Sequence, residues 1–100
     1  MITSVALPTL SSGLAVQSRA AQTAADNIAN VVTPGYEAQQ GQVVSVNPSG
    51  ASYVPLPPEG EVDLGRELVN LTAAKQAYSL AAHAFSSIAK TEKDGLDTLA

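Results

Sequence analysis

A chain of 100 residues and 10.2 kDa makes one small domain, and its apolar share of 45% includes seventeen alanines and only four aromatics, Tyr36, Tyr53, Tyr78 and Phe85. Apolar surface spread over small side chains buries little area per residue, so a thick private core is excluded. Five basic against nine acidic residues give a net charge of −4, which disfavours nucleic acid and anionic membrane surfaces as partners.

From Leu7 the positions 7, 10, 14, 17, 21, 24, 28 and 31 advance by three and four and hold Leu7, Leu10, Leu14, Gln17, Ala21, Ala24, Ile28 and Val31. All but Gln17 are apolar, the pattern of a heptad seam on a helix. Pro8 suits the first helical turn, where its missing N–H costs nothing. Pro34 disfavours helix at the residue before it, and Gly35 permits a turn. The spacing predicts a helix over 8–33. The N-terminus lacks the basic start and continuous apolar stretch of a cleavable leader, and no apolar run approaches the roughly 18 residues of a membrane-spanning helix.

The middle, 34–61, changes character. Gln42-Val43-Val44-Ser45-Val46 reads as a strand, and Asn47-Pro48-Ser49-Gly50 matches type I turn preferences at all four positions. Ala51 to Leu56 reads as a returning strand that Pro55, Pro57 and Pro58 confine to an edge or to a polyproline-like exit. Two forms fit: a short β-hairpin or an extended segment.

A second seam runs through Leu64, Leu68, Leu71, Lys75, Tyr78, Ala82, Phe85, Ala89, Glu92, Leu96 and Leu99, with Ala74, Ala81 and Ile88 widening the stripe. It predicts a helix over 63–99, roughly 54 Å long, with Asp63 as N-cap. Lys75 can lie along the seam through its methylenes. The expected fold is therefore mainly α. Two long amphipathic helices, N- and C-terminal, form an antiparallel coiled coil, with a short β-hairpin or extended segment between them, in one domain over 1–100.

Catalytic chemistry finds little footing. His83 is the lone histidine, flanked by alanines on a helix, and its neighbours one turn away are Ser79 and Ser87. Without cysteine the chain has no disulfide and no zinc set of the usual kind. Glu59, Glu61 and Asp63 read as a solvated junction ahead of a helix N-terminus. We expect no enzyme, no cofactor, no metal and no small-molecule substrate.

The segment Ala25-Asp26-Asn27-Ile28-Ala29-Asn30-Val31-Val32-Thr33-Pro34-Gly35-Tyr36 resembles the N-terminal signature of the bacterial flagellar axial proteins of rod and hook. In that family an amphipathic helix ends in Asn-Ile/Leu-Ala-Asn and leads to Thr-Pro-Gly-Tyr/Phe. Upstream, Ser12-Gly13-Leu14, Gln17 and Ala21 fit as well. Val62-Asp63-Leu64-Gly65-Arg66-Glu67-Leu68-Val69-Asn70-Leu71, followed by Ala74, Gln76, Ala77 and Tyr78, resembles the family's C-terminal signature. The chain departs from the pattern in its short middle, in the single Asn before Ile28, and in Val31-Val32 where many members have Val-Asn. The short middle is similar to that of the proximal-rod members.

The resemblance implies a structural subunit of the bacterial flagellar basal-body rod. Its terminal helices would polymerise into a hollow shaft that transmits torque for motility. It implies self and other rod or hook axial proteins as partners, together with the flagellar type III export apparatus, and neither nucleic acid nor membrane insertion. The implied location is the periplasm-spanning rod, reached without a cleavable signal peptide. The residues expected at the assembly interface are Leu10, Leu14, Ile28, Val31, Leu64, Leu68, Leu71, Tyr78 and Phe85. Asn27, Asn30, Thr33, Pro34, Gly35 and Tyr36 would form the family's turn. The alternatives are a small exported helical-hairpin module, dimeric, or a flagellar export accessory protein. The first would call for a Trp-x-Gly turn, and the chain has no Trp.

Overall fold

The computed structural model describes residues 3–47 and 50–99, residues 3–5 by their backbone. Helix α1 (Thr3–Ala29) leads into strands β1 (Gln40–Ser45) and β2 (Ala51–Leu56), and helix α2 (Leu64–Leu99) closes the chain. The fold is mainly helical, as the sequence predicts. The two helices pack against each other, and the middle takes the hairpin form instead of the extended one. Asn27 in the last turn of α1 bonds to Gln39, and Ala38 bonds to Gly60 just ahead of α2, so the end of α1 lies beside the start of α2. The helices therefore run antiparallel.

The boundaries of α1 differ from expectation at both ends. It begins before Pro8, which sits inside the helix and exposed. There the ring removes one N–H from the helical ladder and faces solvent. The helix stops at Ala29 because Asn30 competes for its last carbonyls. The Asn30 side-chain Nδ2 donates to the Asp26 carbonyl at 2.8 Å, alongside its own backbone N–H at 3.1 Å. Val31, expected on the helical seam, lies beyond the helix and is 40% exposed.

Helix α2 starts where its cap does: Asp63 Oδ1 accepts the Arg66 N–H at 3.1 Å. It runs 36 residues through Gly95, against 27 for α1, and the molecule measures 62 × 24 × 14 Å.

The core is small. Among the described residues Val16, Ala24, Ala38 and Ala74 are its buried apolar residues, joined by two buried polar ones, Asn27 and Glu67. The α2 face turned inward is therefore shifted within the expected stripe, toward the side that Ala74, Ala81 and Ile88 widen. Glu67 and Ala74 are buried, and Ala81 and Ile88 half-buried at the same heptad spacing, while Leu64, Leu68 and Tyr78 are exposed. Small side chains let two helices approach closely, and the branched leucines are left on the outer flank. Leu10, Leu14, Ile28, Leu71 and Phe85 are half-buried.

The hairpin lies on α1. Its antiparallel register pairs Gln40 with Leu56, Gly41 with Pro55, Val43 with Tyr53 and Ser45 with Ala51. A Cβ at Gly41 would run into the Tyr53 ring, which occupies that space. The Tyr53 hydroxyl donates to Thr23 Oγ1 at 3.2 Å, and Thr23 Oγ1 donates onward to the Arg19 carbonyl at 3.1 Å. The Arg19 guanidinium sits 5.5 Å from the Tyr53 ring centre. At the hairpin tip Ser12 Oγ accepts the Ala51 N–H at 3.0 Å while donating to the Thr9 carbonyl at 2.9 Å. Two residues of the expected type I turn, Pro48 and Ser49, lie outside the described residues.

Candidate functional site

The turn out of α1 is organised by a single amide. Asn27 occupies the last helical turn and is fully buried. Its Nδ2 donates to the Gln39 carbonyl at 3.0 Å, and its Oδ1 accepts both the Gln39 N–H at 2.8 Å and the Tyr36 hydroxyl at 3.2 Å. The side chain thus pairs both polar groups of one backbone residue, as a neighbouring strand would. A carboxylate cannot replace it, because the Gln39 carbonyl needs a donor.

Around this hub the other turn residues divide into layers. Asn30 Oδ1 accepts the Thr33 hydroxyl at 3.1 Å, and the Thr33 N–H reaches the Asn30 carbonyl at 3.0 Å. Thr33, Pro34, Gly35 and Tyr36 then form a β-turn closed by the Tyr36 N–H to the Thr33 carbonyl at 3.2 Å. Proline second and glycine third with φ +76° is the arrangement of a type II turn. Asn27, Asn30, Thr33 and Tyr36 are therefore joined in one network, while Pro34 and Gly35 shape its exposed bend. Beyond the turn the buried Ala38 ties this loop to the junction before α2. Its N–H donates to the Gly60 carbonyl at 2.9 Å, and its carbonyl accepts the Glu59 N–H at 3.0 Å.

The residues expected at an assembly interface are not gathered in one place. Leu71 and Tyr78 line a cleft of about 470 Å³ between the helices with Gln17, Ala21 and Ala25. Leu68 lies on the outer side of α2 in a shallow groove with Val69, Thr72, Ala73 and Gln76. Val69 and Leu80 are more exposed still, at 68% and 73%. Between Glu67 and Lys90 the only charged residue of α2 is Lys75, so this outer surface is largely apolar or neutral for several turns. His83 is exposed on the same helix. None of the described helices is long and apolar enough to cross a membrane.

Two functional candidates escape sequence reasoning. Gln39 acts only through its backbone, so its identity carries no signal. Glu67 sits in the first turn of α2, where an acidic residue ordinarily complements the helix dipole from solvent, yet it is 3% exposed. It lines a second cavity, of about 410 Å³, between the hairpin and both helices.

Residues 7–36 match the model of a family described as flagella basal body rod protein. The match runs along α1 and ends at Tyr36, the residue whose hydroxyl closes the Asn27 network. The match covers 30 of the chain's 100 residues, so the first helix and the turn that follows it are what is similar to that family. The C-terminal resemblance over 62–78 lies outside the matched residues. No curated protein matches the chain.

Proposed function

We propose that this chain is a structural subunit that polymerises through its terminal helices into the hollow flagellar rod and so helps to transmit torque. The observation that carries this reading is the family match over 7–36. The fold supports it physically. Among the described residues the monomer buries four apolar side chains, three of them alanine, while Val69, Leu80, Leu96 and Leu99 on α2 remain largely in water. Helices with so thin a core and so much apolar surface gain stability by packing against neighbours. Asn27 and the Thr33–Tyr36 turn set the angle at which the chain leaves α1, which places the hairpin on one flank and leaves the α2 flank open.

In this reading the partners are further copies of the chain and other rod or hook axial proteins, and delivery is by the flagellar type III export apparatus. The site of action is the periplasm-spanning part of the basal body. Peptide mass spectrometry on purified, intact basal bodies tests the proposal. Several copies per particle are expected. Absence from clean particles, with the chain abundant in the cytosol, would sink it in favour of an accessory role in export.

A further inference from the structure

The two edges of the hairpin are finished differently. In an antiparallel pair only alternate residues exchange main-chain bonds with the partner strand, and the others turn their N–H and carbonyl outward. The Val46 N–H donates to the Gly50 carbonyl at 3.2 Å. The register carries that phase to Val44 with Ser52, Gln42 with Val54 and Gln40 with Leu56. Gly41, Val43 and Ser45 therefore direct their main-chain groups away from β2. Pro55, which has no N–H to give, stands opposite Gly41 in agreement with this phase.

On the β2 side the outward positions are closed at both ends. The Ala51 N–H is taken by Ser12 Oγ at 3.0 Å, and Pro55 has none. On the β1 side the fold closes one position and stops. Gln39 is in phase with Gly41, and the Asn27 amide meets both of its main-chain groups. Among the described residues nothing meets those of Gly41, Val43 and Ser45. Strand β1 also carries no proline and no charge, the devices that ordinarily keep an edge from pairing.

This edge overhangs a cavity of about 410 Å³, bounded by Gly41 and Val43 on one side and by Asn70, Ala73 and Ala77 of α2 on the other. Val43 lies on the same face of the sheet as Tyr53, toward α1, yet the overhang leaves it 47% exposed. Apart from the buried Glu67, no charged side chain lines the cavity. A row of free main-chain groups is matched by another extended main chain. Walls of glycine, valine and alanine leave room for small, neutral side chains beside it. A second β1 is a poor fit. Two-fold pairing of one β1 with another would bring both copies' α2 helices into the space beside that edge.

We infer that β1 receives one extended, uncharged segment of another protein as a third strand. The segment lies over Ala73 and Ala77 and continues the line that Asn27 begins at Gln39. This does not depend on the rod reading above; within a rod, a neighbouring axial protein would supply the strand.

The test uses the full chain, labelled for NMR, and the peptide acetyl-Ser-Val-Ser-Val-Ser-amide. Saturable shifts and slowed hydrogen exchange are expected at the amides of Gly41, Val43 and Ser45. Exchange at Gln42 and Val44, already paired with β2, should change little. The same peptide N-methylated at every residue has no donors and should bind roughly tenfold more weakly. Val43→Pro deletes an N–H that β2 does not use, and Ala73→Leu fills the cavity from an exposed position. Each should abolish the response, and the second answers even if the first unfolds. No saturable response in the unaltered chain, or equal effects on both sets of amides, would overturn the third strand. If raising the chain's own concentration slows the same amides and dimers sediment, the edge belongs to a second copy and the separate partner is refuted. Absence of the chain from basal bodies would sink the rod reading alone.

Discussion

Asn27 bonds to both backbone polar groups of Gln39, donating to its carbonyl at 3.0 Å and accepting its N–H at 2.8 Å. Through this pair the last turn of α1 fixes the strand entry twelve residues later, and Tyr36 locks the same amide oxygen from the turn between them. Asn27→Ala would leave the N–H and the carbonyl of Gln39 without their partner beside a fully buried position. The expected cost is roughly 2–4 kcal/mol. Tyr36→Phe removes only one of the two bonds to Oδ1 and should cost roughly 0.5–1.5 kcal/mol. Urea unfolding of both variants decides the matter: equal losses would mean that Asn27 is not the hub.

Much of this arrangement can be read ahead of the structure, and the exceptions have physical causes. Both helices declare themselves by spacing, and the paired strands by valine runs around an Asn-Pro-Ser-Gly stretch. The face of α2 does not. Leu64 and Leu68 are its most apolar early residues and sit outside, because the helices approach through Ala24 and Ala74. In an alanine-rich pair, size excludes a residue from the interface as surely as polarity does. Asn27 and Tyr36 are visible as a motif, but their partner is a main chain with no type-specific signal. Glu67 gives no sign of its burial, since a first-turn acid ordinarily faces solvent, yet it is 3% exposed.

Glycines at two positions should respond with opposite sign. Gly35 holds φ at +76° with no neighbour within 4 Å, so alanine there meets strain without a clash. Gly35→Ala should destabilise by about 1–2 kcal/mol. Gly13 lies in α1 with equally open space, and Gly13→Ala should stabilise by about 0.5–1 kcal/mol. Thermal unfolding reads both, and a shift of the same sign in the two variants would refute the turn assignment.

Gly41 and Tyr53 should show coupling. The ring lies where a Cβ at 41 would stand, so Gly41→Ala must push it off Thr23 and away from Arg19. A loss of roughly 1–3 kcal/mol is expected. In a Tyr53→Ala background the same change should cost close to nothing, which gives a large interaction energy in a double-mutant cycle. Additive losses would show that the ring does not hold the hairpin through this contact.

Leu68 separates folding from assembly. Its side chain is 49% exposed, so Leu68→Asp should leave the stability of the isolated chain within about 0.5 kcal/mol, as for most surface changes. If the outer flank of α2 packs against a neighbour in the rod, the same carboxylate would be buried there without a partner and cost several kcal/mol per contact. The expected variant is therefore folded, with an unchanged melting temperature, but missing from basal bodies and non-motile. Ile28→Asp and Leu71→Asp, at half-buried positions, should lose motility too, though with measurable loss of fold. Normal swimming by Leu68→Asp cells would remove this flank from the assembly contacts and leave the interhelical cleft at Leu71 and Tyr78 as the surface to test.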